Sequence, residues 1–291
     1  MLTHYTPRRR LTARWFTALA LLASAGAQAA APTSVAFWYA AKPPLAALAH
    51  YQWAVLEPGH LQPADVQTLR AAGGTPFAYL SVGELAGDAA SLEAAGLSSA
   101  ASDQRNHAWG SQVMDLTAPA WRTYLFNRAQ RYQDQGYAGL FLDTLDSFQL
   151  QPAARREEQR QALISWIQAL HSRFPDLKLI FNRGFEVLPA LPGVAAAIAV
   201  ESIHAGWDAG RQQYRPVPPE DRDWLVAKLA PYKAQGIPLI AIEYLPPEQG
   251  PQARELSRRL CREGFIAVVS TPQFNHLDLD EVQLRANALC Q

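Results

Sequence analysis

Two carboxylates, Asp143 and Asp146, come directly after an apolar run in the middle of the chain. Residues 140–142 of this run lack the alternation of a half-exposed strand, which is typical of a strand buried on both faces of a parallel sheet. In α/β barrels the loops after such strands build the active site, so both carboxylates are candidates for chemistry. Asp also ends strands and forms turns, and this structural role is the alternative for both residues.

The other apolar runs of the chain also end in polar side chains. Five consecutive runs are followed by a carboxylate or an amide, whereas the starts of these runs are not acidic. A residue that only forms turns would occur as often at strand starts, so this asymmetry predicts that the side chains share one rim cavity. They are Glu84, Asp143, Asn182, Glu201 and Glu243, with Asp146 close behind Asp143.

Aromatic residues accompany these carboxylates along the chain. Sugar hydroxyls need hydrogen-bond acceptors and the C–H faces of sugar rings stack on aromatic side chains, so an acidic rim with aromatic neighbours favours carbohydrate as the ligand. We expect Tyr39, Tyr79 and Tyr244 to form stacking surfaces. Trp207 is a further candidate, although most aromatic residues of a barrel belong to its core.

The spacing of the apolar runs predicts the elements that position these residues. Eight runs rich in β-branched and aromatic residues occur at 35–39, 53–56, 77–82, 139–142, 179–181, 196–200, 239–242 and 265–269. Helical patterns lie between them at 63–72, 119–135, 157–174, 222–235 and 252–263. The alternation predicts a parallel sheet, and eight repeats in about 260 residues predict a single (β/α)₈ TIM barrel. We expect two long loops, 85–112 and 203–219, to shape the cleft.

Several segments of the chain resemble glycoside hydrolase family 114. The resemblance is carried by YLSVGE at 79–84, GLFLDTLDS at 139–147, FNRG at 181–184, VES at 200–202 and EY at 243–244. It implies an endo-α-1,4-polygalactosaminidase with a TIM-barrel fold. Two departures stand out: relatives often have Asp in place of Ala138, and often Asp-Tyr in place of Glu243-Tyr244, which could alter substrate contacts.

The resemblance implies that Asp143 and Glu201 are the catalytic pair, and the residues themselves favour the same two. Glycoside hydrolysis needs one carboxylate for the anomeric carbon and one carboxylic acid for the leaving oxygen. Asp143 ends a rigid strand and is assigned the nucleophile role, while Glu201 follows an apolar strand that favours a protonated acid. Two strand ends so placed predict a carboxyl separation of about 5 to 5.5 Å and retention of configuration. A salt bridge with Arg183 or Arg211 is the alternative for Glu201.

The remaining rim residues are candidates for substrate binding. Glu84, Asp146 and Asn182 could bind sugar hydroxyls or amines, and for Asp146 a structural turn remains open. An anionic cleft would suit a partly deacetylated, cationic galactosamine polymer.

The chain begins with a pattern typical of a secretory signal peptide. A basic segment with Arg8 and Arg14 precedes an apolar segment at 15–27 and a small-x-small site, which predicts removal of residues 1–29 and a mature domain over 30–291. We therefore expect a periplasmic or secreted protein without a membrane span in its mature form. Cys261 and Cys290 are the two cysteines, and export makes a disulfide between them possible, although spacing alone does not decide it.

Composition and motifs narrow the function classes further. Lys and Arg total 26, as do Asp and Glu, so no basic surface predicts a nucleic-acid partner. No Gly-rich phosphate loop and no Cys or His ligand spacing is present, so we expect neither cofactor nor metal. We expect a monomer that acts on a galactosamine-containing polysaccharide. A non-catalytic polysaccharide-binding barrel and a metal-dependent deacetylase remain the alternatives.

Overall fold

The structure is a computed structural model that describes residues 31–87 and 89–277. The predicted signal peptide at 1–29 and Cys290 lie outside the described residues. Cys261 is disulfide-bonded, and its pairing with Cys290 stays a prediction. Among the helices of the described residues, none has the length and apolar character needed to cross a membrane.

A parallel sheet of eight strands forms the centre of the fold. The strands of the described residues are, in chain order, β1 (Val35–Trp38), β2 (Trp53–Leu56), β3 (Thr75–Ser81), β4 (Glu84–Ala86), β5 (Ala101–Asn106), β6 (Ser111–Met114), β7 (Gly139–Asp143), β8 (Lys178–Asn182), β9 (Ala195–Glu201), β10 (Ala205–Asp208), β11 (Gln213–Pro216), β12 (Leu239–Tyr244) and β13 (Ile266–Ser270). The eight-stranded sheet has the order β1-β2-β3-β7-β8-β9-β12-β13. The backbone N–H of Tyr39, after β1, donates to the carbonyl of Phe274, after β13, at 2.9 Å, which brings the two edges together. The predicted (β/α)₈ barrel and its eight strands are confirmed.

Helices on the outside cover this barrel. They are α1 (Leu45–Leu48), α2 (Pro63–Ala71), α3 (Ala89–Ala94), α4 (Pro119–Asp134), α5 (Ala153–Arg173), α6 (Pro219–Ala234) and α7 (Gly250–Arg262). The five predicted helices are α2, α4, α5, α6 and α7. Helices α5 and α6 begin a few residues earlier than predicted: α6 begins at Pro219, where proline is favoured at the first helical position, and α5 begins directly after Pro152. Between β8 and β9 the described chain has a 3₁₀ turn, Leu188–Ala190, where a regular barrel has an α-helix.

Side chains along each strand alternate between the barrel interior and the helix layer. Along β7, Phe141 packs in the interior, while Leu140 and Leu142 pack with residues of the helices. Asp143 lies two residues after Phe141 and therefore also points inward, at the carboxyl end. The same two-residue step leads from Ile180 to Asn182 in β8, from Ala199 to Glu201 in β9, and from Ile242 to Tyr244 in β12. The hydrophobic pattern thus directs four polar side chains to one end of the interior.

Two insertions that are predicted to be loops contain strands instead. Strands β4, β5 and β6 form a three-stranded antiparallel sheet, which we call the arm sheet, and β10 and β11 form an antiparallel hairpin. The sequence of β5 is ASDQRN, which is polar throughout, so no apolar periodicity marks it as a strand. These elements follow β3 and β9 and extend from the end of the barrel where the polar side chains meet.

Candidate active site

A cavity of about 550 Å³ lies at the carboxyl ends of the barrel strands. This volume is within the usual range of small-molecule sites. The residues predicted from the sequence that line it are Tyr39, Tyr79, Glu84, Asp143, Asp146, Asn182, Glu201 and Tyr244. Within residues 31–87 and 89–277, no three His, Cys, Asp or Glu side chains are grouped closely enough to hold a metal ion.

Asn182 connects the two candidate catalytic carboxylates. Its Nδ2 atom donates to Asp143 Oδ1 at 2.8 Å and to Glu201 Oε1 at 2.9 Å. Two oxygens bonded to one nitrogen cannot be further apart than the sum of these distances, about 5.7 Å. The buried Oδ1 atom of Asn182 has no partner among the described residues. The opposite orientation of the amide would place this oxygen against two carboxylates, so electrostatics fixes which end faces them.

Each carboxylate also has a tyrosine of its own. The Tyr79 hydroxyl donates to Asp143 Oδ2 at 2.7 Å, and the Tyr244 hydroxyl donates to Glu201 Oε2 at 2.5 Å. Burial, followed by the nearby carboxylate charge, raises the pKa of both tyrosines well above their ordinary value. The two hydroxyls therefore keep their protons and act as hydrogen-bond donors.

The pKa of Asp143 is raised well above its ordinary value. Burial and the charge of Glu201 raise the pKa of Asp143 to about 6, although the hydrogen bonds from Tyr79 and Asn182 lower it. At neutral pH Asp143 is therefore ionised and close to the point at which it takes up a proton. A carboxylate in this state can act as a nucleophile or as a base.

The backbone turns in the same unusual way after three consecutive strands of the site. Thr144, Arg183 and Ser202 directly follow the last residues of β7, β8 and β9, and their φ angles are 59°, 57° and 64°. A left-handed conformation costs a non-glycine residue on the order of 1 kcal/mol. Because this conformation occurs after all three strands, the chain leaves the barrel immediately after each inward-pointing polar side chain. These side chains therefore lie at the rim.

The Thr144 hydroxyl fixes the turn that carries Asp143. It accepts hydrogen bonds from the backbone N–H groups of Val82 at 3.1 Å and Gly83 at 2.9 Å, and it donates to the carbonyl of Asp143 at 2.7 Å. A Cβ atom on Gly83 would clash with the backbone oxygen of Thr144. Glycine at 83 therefore allows the ends of β3 and β7 to approach closely.

Glu84 lines the cavity, but its carboxylate is 4 % exposed and already bonded. It accepts hydrogen bonds from Asn106 Nδ2 at 3.0 Å and from the hydroxyls of Ser111 and Ser147. Asn106 and Ser111 belong to the arm sheet, whereas Ser147 follows β7. The structure thus gives Glu84 a structural role, which is to join the arm sheet to the barrel, and its predicted contact with substrate stays a prediction.

Glu243 requires a correction, because it lies outside the cavity. It is fully buried and accepts hydrogen bonds from the backbone N–H groups of Ile203, His204 and Ala205 at 2.9, 3.0 and 2.5 Å. Tyr244 points into the barrel, so the preceding residue of the same strand must point to the helix layer. The predicted place of Glu243 in the shared cavity is wrong. Its carboxylate instead holds the segment that follows Glu201.

Trp207 also lies away from the cavity lining of the described residues. It is part of β10, and its ring packs edge-on against Tyr214 of β11 at a centroid distance of 4.9 Å. No apolar periodicity in the sequence between β9 and α6 marks this hairpin. Trp207 packs against the interior cluster that includes Phe141 and Tyr244, and its stacking on a sugar stays a prediction.

Several cavity residues were not predicted as site residues, among them Arg183, which was considered only as a salt-bridge partner of Glu201, and Trp109. Arg183 donates to the backbone carbonyl of Glu201 at 3.4 Å, whereas Arg211 is paired with Asp208 at 3.8 Å. Neither arginine therefore forms the salt bridge with the Glu201 side chain that was considered as its alternative role. The position of Arg183 directly after Asn182 could have identified it, but no local pattern distinguishes Trp109.

Known proteins resemble this chain in sequence and in fold. Residues 20–290 match the model of glycoside-hydrolase family GH114. The glycoside hydrolase domain of PelA from Pseudomonas aeruginosa is 60 % identical, over 86 % of this chain and 98 % of that domain, with a TM-score of 0.84. The comparison with curated proteins found no match.

Two more distant structures share the fold alone. Aspergillus fumigatus Ega3, solved with galactosamine, is 13 % identical over 86 % of this chain and 95 % of its own, with a TM-score of 0.63. The α-galactosidase TtGalA from Thermus thermophilus is 15 % identical over 90 % of this chain and 62 % of its own, with a TM-score of 0.55.

Proposed function

Since this chain belongs to glycoside-hydrolase family GH114, we propose that it is an endo-acting glycosidase of α-1,4-linked galactosamine and N-acetylgalactosamine exopolysaccharide. Asp143 is the nucleophile and Glu201 is the acid/base. The observation that carries this proposal is the single Asn182 amide nitrogen bonded to both carboxylates, which limits their nearest oxygens to about 5.7 Å.

This separation supports retention of configuration. Carboxyl groups about 5 to 5.5 Å apart belong to retaining enzymes, whereas inverting enzymes need about 6.5 to 9.5 Å to admit a water molecule. Asp143 attacks the anomeric carbon while Glu201 gives its proton to the departing glycosidic oxygen, which forms a glycosyl ester on Asp143. Glu201 then takes a proton from water, the water oxygen attacks the same carbon, and the Asp143 carboxylate leaves.

The substrate class rests on the family resemblance and on the charge of the cavity. Glu84, Asp143, Asp146 and Glu201 line the cavity together with a single cation, Arg183, among the described residues. An excess of carboxylates favours a ligand that carries ammonium groups, as deacetylated galactosamine does. Asp146 is exposed, so it is the residue we assign to direct contact with such a group.

We also propose that the protein acts in the periplasm or outside the cell. The basic and apolar leader, with its small-x-small site, supports removal of residues 1–29 during export. N-terminal sequencing of the exported protein tests this proposal, and the expected first residue lies near Ala30.

The function is tested by incubating purified protein with galactosamine oligomers that are fully acetylated, partly acetylated or fully deacetylated. Mass spectrometry of the products is expected to give internal cleavage into shorter oligomers. NMR recorded before mutarotation is expected to give the α-anomer first, and an initial β-anomer would overturn retention. Binding without cleavage would support the polysaccharide-binding alternative, and release of acetate from uncut chains would support a deacetylase.

A further inference from the structure

Trp109 is an exposed aromatic residue that borders the cavity. It lies in the turn between β5 and β6 of the arm sheet, and 62 % of its surface is exposed, the highest fraction for a large apolar residue in the described part of the chain. It also lines the same cavity as Asp143 and Glu201. Its place in the cavity lining is what marks it, because aromatic side chains are common in the lining of ligand sites and indole binds partners that have both apolar and polar surfaces.

The turn that presents Trp109 is held by several hydrogen bonds. Arg105 donates to the backbone carbonyl of Gly110 at 2.9 Å, and it also donates to Gly87 O at 3.5 Å and to Gln112 Oε1 at 3.3 Å. Gly110 has a φ of 66°, a left-handed conformation that lets the chain reverse beside Trp109. The turn that carries the Trp109 indole is therefore held in place by hydrogen bonds from Arg105.

The base of the arm sheet is joined to the active site. The Glu84 carboxylate bonds Asn106 and Ser111 on one side and Ser147 on the other, and Ser147 lies only four residues after Asp143. This connection joins the base of the arm sheet to the segment that follows Asp143. Binding energy gained at Trp109 can thus be used to align the chain with the reacting centre.

We propose that Trp109 forms a separate sugar-binding subsite, in which its indole stacks on a hexosamine unit at some distance from the cleaved bond. This inference rests on the proposed glycosidase function and extends it from the reacting sugar to the polymer around it. A galacto-configured ring has an axial 4-oxygen, so its opposite face presents C–H groups to an aromatic plane. The subsite therefore favours substrates long enough to span from Asp143 to the arm sheet.

The chemistry around Trp109 favours a sugar as the occupant. The cavity that Trp109 and the catalytic pair line also contains the exposed carboxylate of Asp146, which can accept hydrogen bonds from sugar hydroxyls and ammonium groups. An indole above a polar floor is a common arrangement in carbohydrate sites, because each sugar ring has both C–H faces and hydroxyl edges.

The proposal is tested by the dependence of activity on chain length. Trp109→Ala is expected to lower kcat/KM for the polymer about fivefold to tenfold and to leave kcat/KM for short oligomers that do not reach the arm sheet within about twofold. Trp109→Phe keeps an aromatic ring, so its kcat/KM for the polymer is expected to lie between those of the wild type and Trp109→Ala. Trp224→Ala is the matched control, since Trp224 on α6 is 51 % exposed and does not line the cavity.

A loss confined to the polymer supports the subsite. An equal loss on short and long substrates, or none on the polymer, overturns it. The same variants are also made in a Glu201→Gln background, in which cleavage is expected to be lost. Calorimetric titration with long and short oligomers then measures binding at the subsite independently of the proposed reaction. If the wild type binds long oligomers but cleaves nothing, the proposed function fails, and a Trp109-dependent affinity for long oligomers still supports the subsite.

Discussion

Asp143 and Glu201 share one hydrogen-bond donor, and this sharing shapes their chemistry at the scale of single residues. The Asn182 amide nitrogen is a dipole with its positive end toward two acidic groups that repel each other, so it stabilises their approach without adding a charge. Tyr79 and Tyr244 bond the outer oxygens in a nearly symmetric way. The differing roles of the two carboxyl groups therefore depend on protonation and on where the substrate binds.

Removal of either carboxyl group is expected to abolish turnover. Asp143→Asn and Glu201→Gln keep the volume of each side chain but remove the nucleophile or the exchangeable proton, so each variant should lose about 10³-fold or more in kcat. Product formation from oligomers gives the rate, and circular dichroism checks that the fold is intact. Full activity of Asp143→Asn would rule out the assigned site.

The acid limb of the pH profile is expected to report Asp143. Because the pKa of Asp143 is about 6, Asp143 takes up a proton as the pH falls through 6. If it is the nucleophile that we propose, activity should be lost below that pH. Tyr79→Phe removes a donor that lowers this pKa, so the acid limb should move to higher pH, by roughly one unit. The measurement is kcat/KM from pH 4 to 9.

Tyr39→Phe is the control for this pH experiment. Tyr39 lines the same cavity, whereas Asp143 takes its side-chain hydrogen bonds from Tyr79 and Asn182. The acid limb of the kcat/KM profile of Tyr39→Phe should lie at the same pH as that of the wild type. An unchanged limb in Tyr79→Phe would contradict the role of this hydrogen bond.

At the scale of elements, the arm sheet depends on one buried carboxylate. Glu84→Ala would leave the donors of Asn106, Ser111 and Ser147 without their acceptor, so the free energy of unfolding is expected to fall by about 2 to 4 kcal/mol. Urea denaturation measures this loss. Glu93→Ala, at an exposed glutamate of α3, is the control and should change stability by less than about 0.5 kcal/mol.

Glu243 links the segment after β9 to β12, and its titration should appear in the stability of the protein. Burial raises the pKa of Glu243 to about 7 from an ordinary 4.5, so the folded state holds the proton more tightly than the unfolded chain. The resulting stabilisation, of the order of 3 kcal/mol, is complete below pH 4.5 and is lost as the pH rises through 7. Stability is therefore expected to decline toward alkaline pH.

Glu243→Gln tests this coupling, because glutamine does not titrate. Its urea midpoint should vary less between pH 5 and pH 8 than that of the wild type, even if the variant is less stable overall. Glu248→Gln, at an exposed glutamate, is the control. If the urea midpoints of the wild type and Glu243→Gln change with pH in the same way, Glu243 is not the cause of the pH dependence.

At the scale of the whole molecule, the proposed reaction needs carboxyl groups alone. In that proposal two carboxyl groups at strand ends provide both nucleophile and acid, so chelation with EDTA is expected to leave the rate of chain cleavage unchanged. The rate of the EDTA-treated protein is compared with its rate after zinc is added back. Loss of activity in EDTA that zinc restores would favour the metal-dependent deacetylase instead.

The sequence by itself determined the barrel and the group of residues from which the site is built. Its eight apolar runs are local patterns, and a strand buried on both faces needs such a run wherever it occurs. Polar residues directly after these runs had to lie at the carboxyl ends of parallel strands. Asp143, Asn182 and Glu201 could therefore be located at one rim before any contact was known.

Only the tertiary structure decided which of these side chains share a cavity and what holds them. Strand alternation turned Glu243 outward and Tyr244 inward, which depends on how the strand is set in the sheet. The shared amide of Asn182 and the bond from Glu84 to the arm sheet join residues far apart in the chain. The arm sheet, with Trp109 at its turn, contains the polar strand β5, whose pairing with β6 depends on backbone hydrogen bonds and leaves no periodic apolar pattern in its sequence.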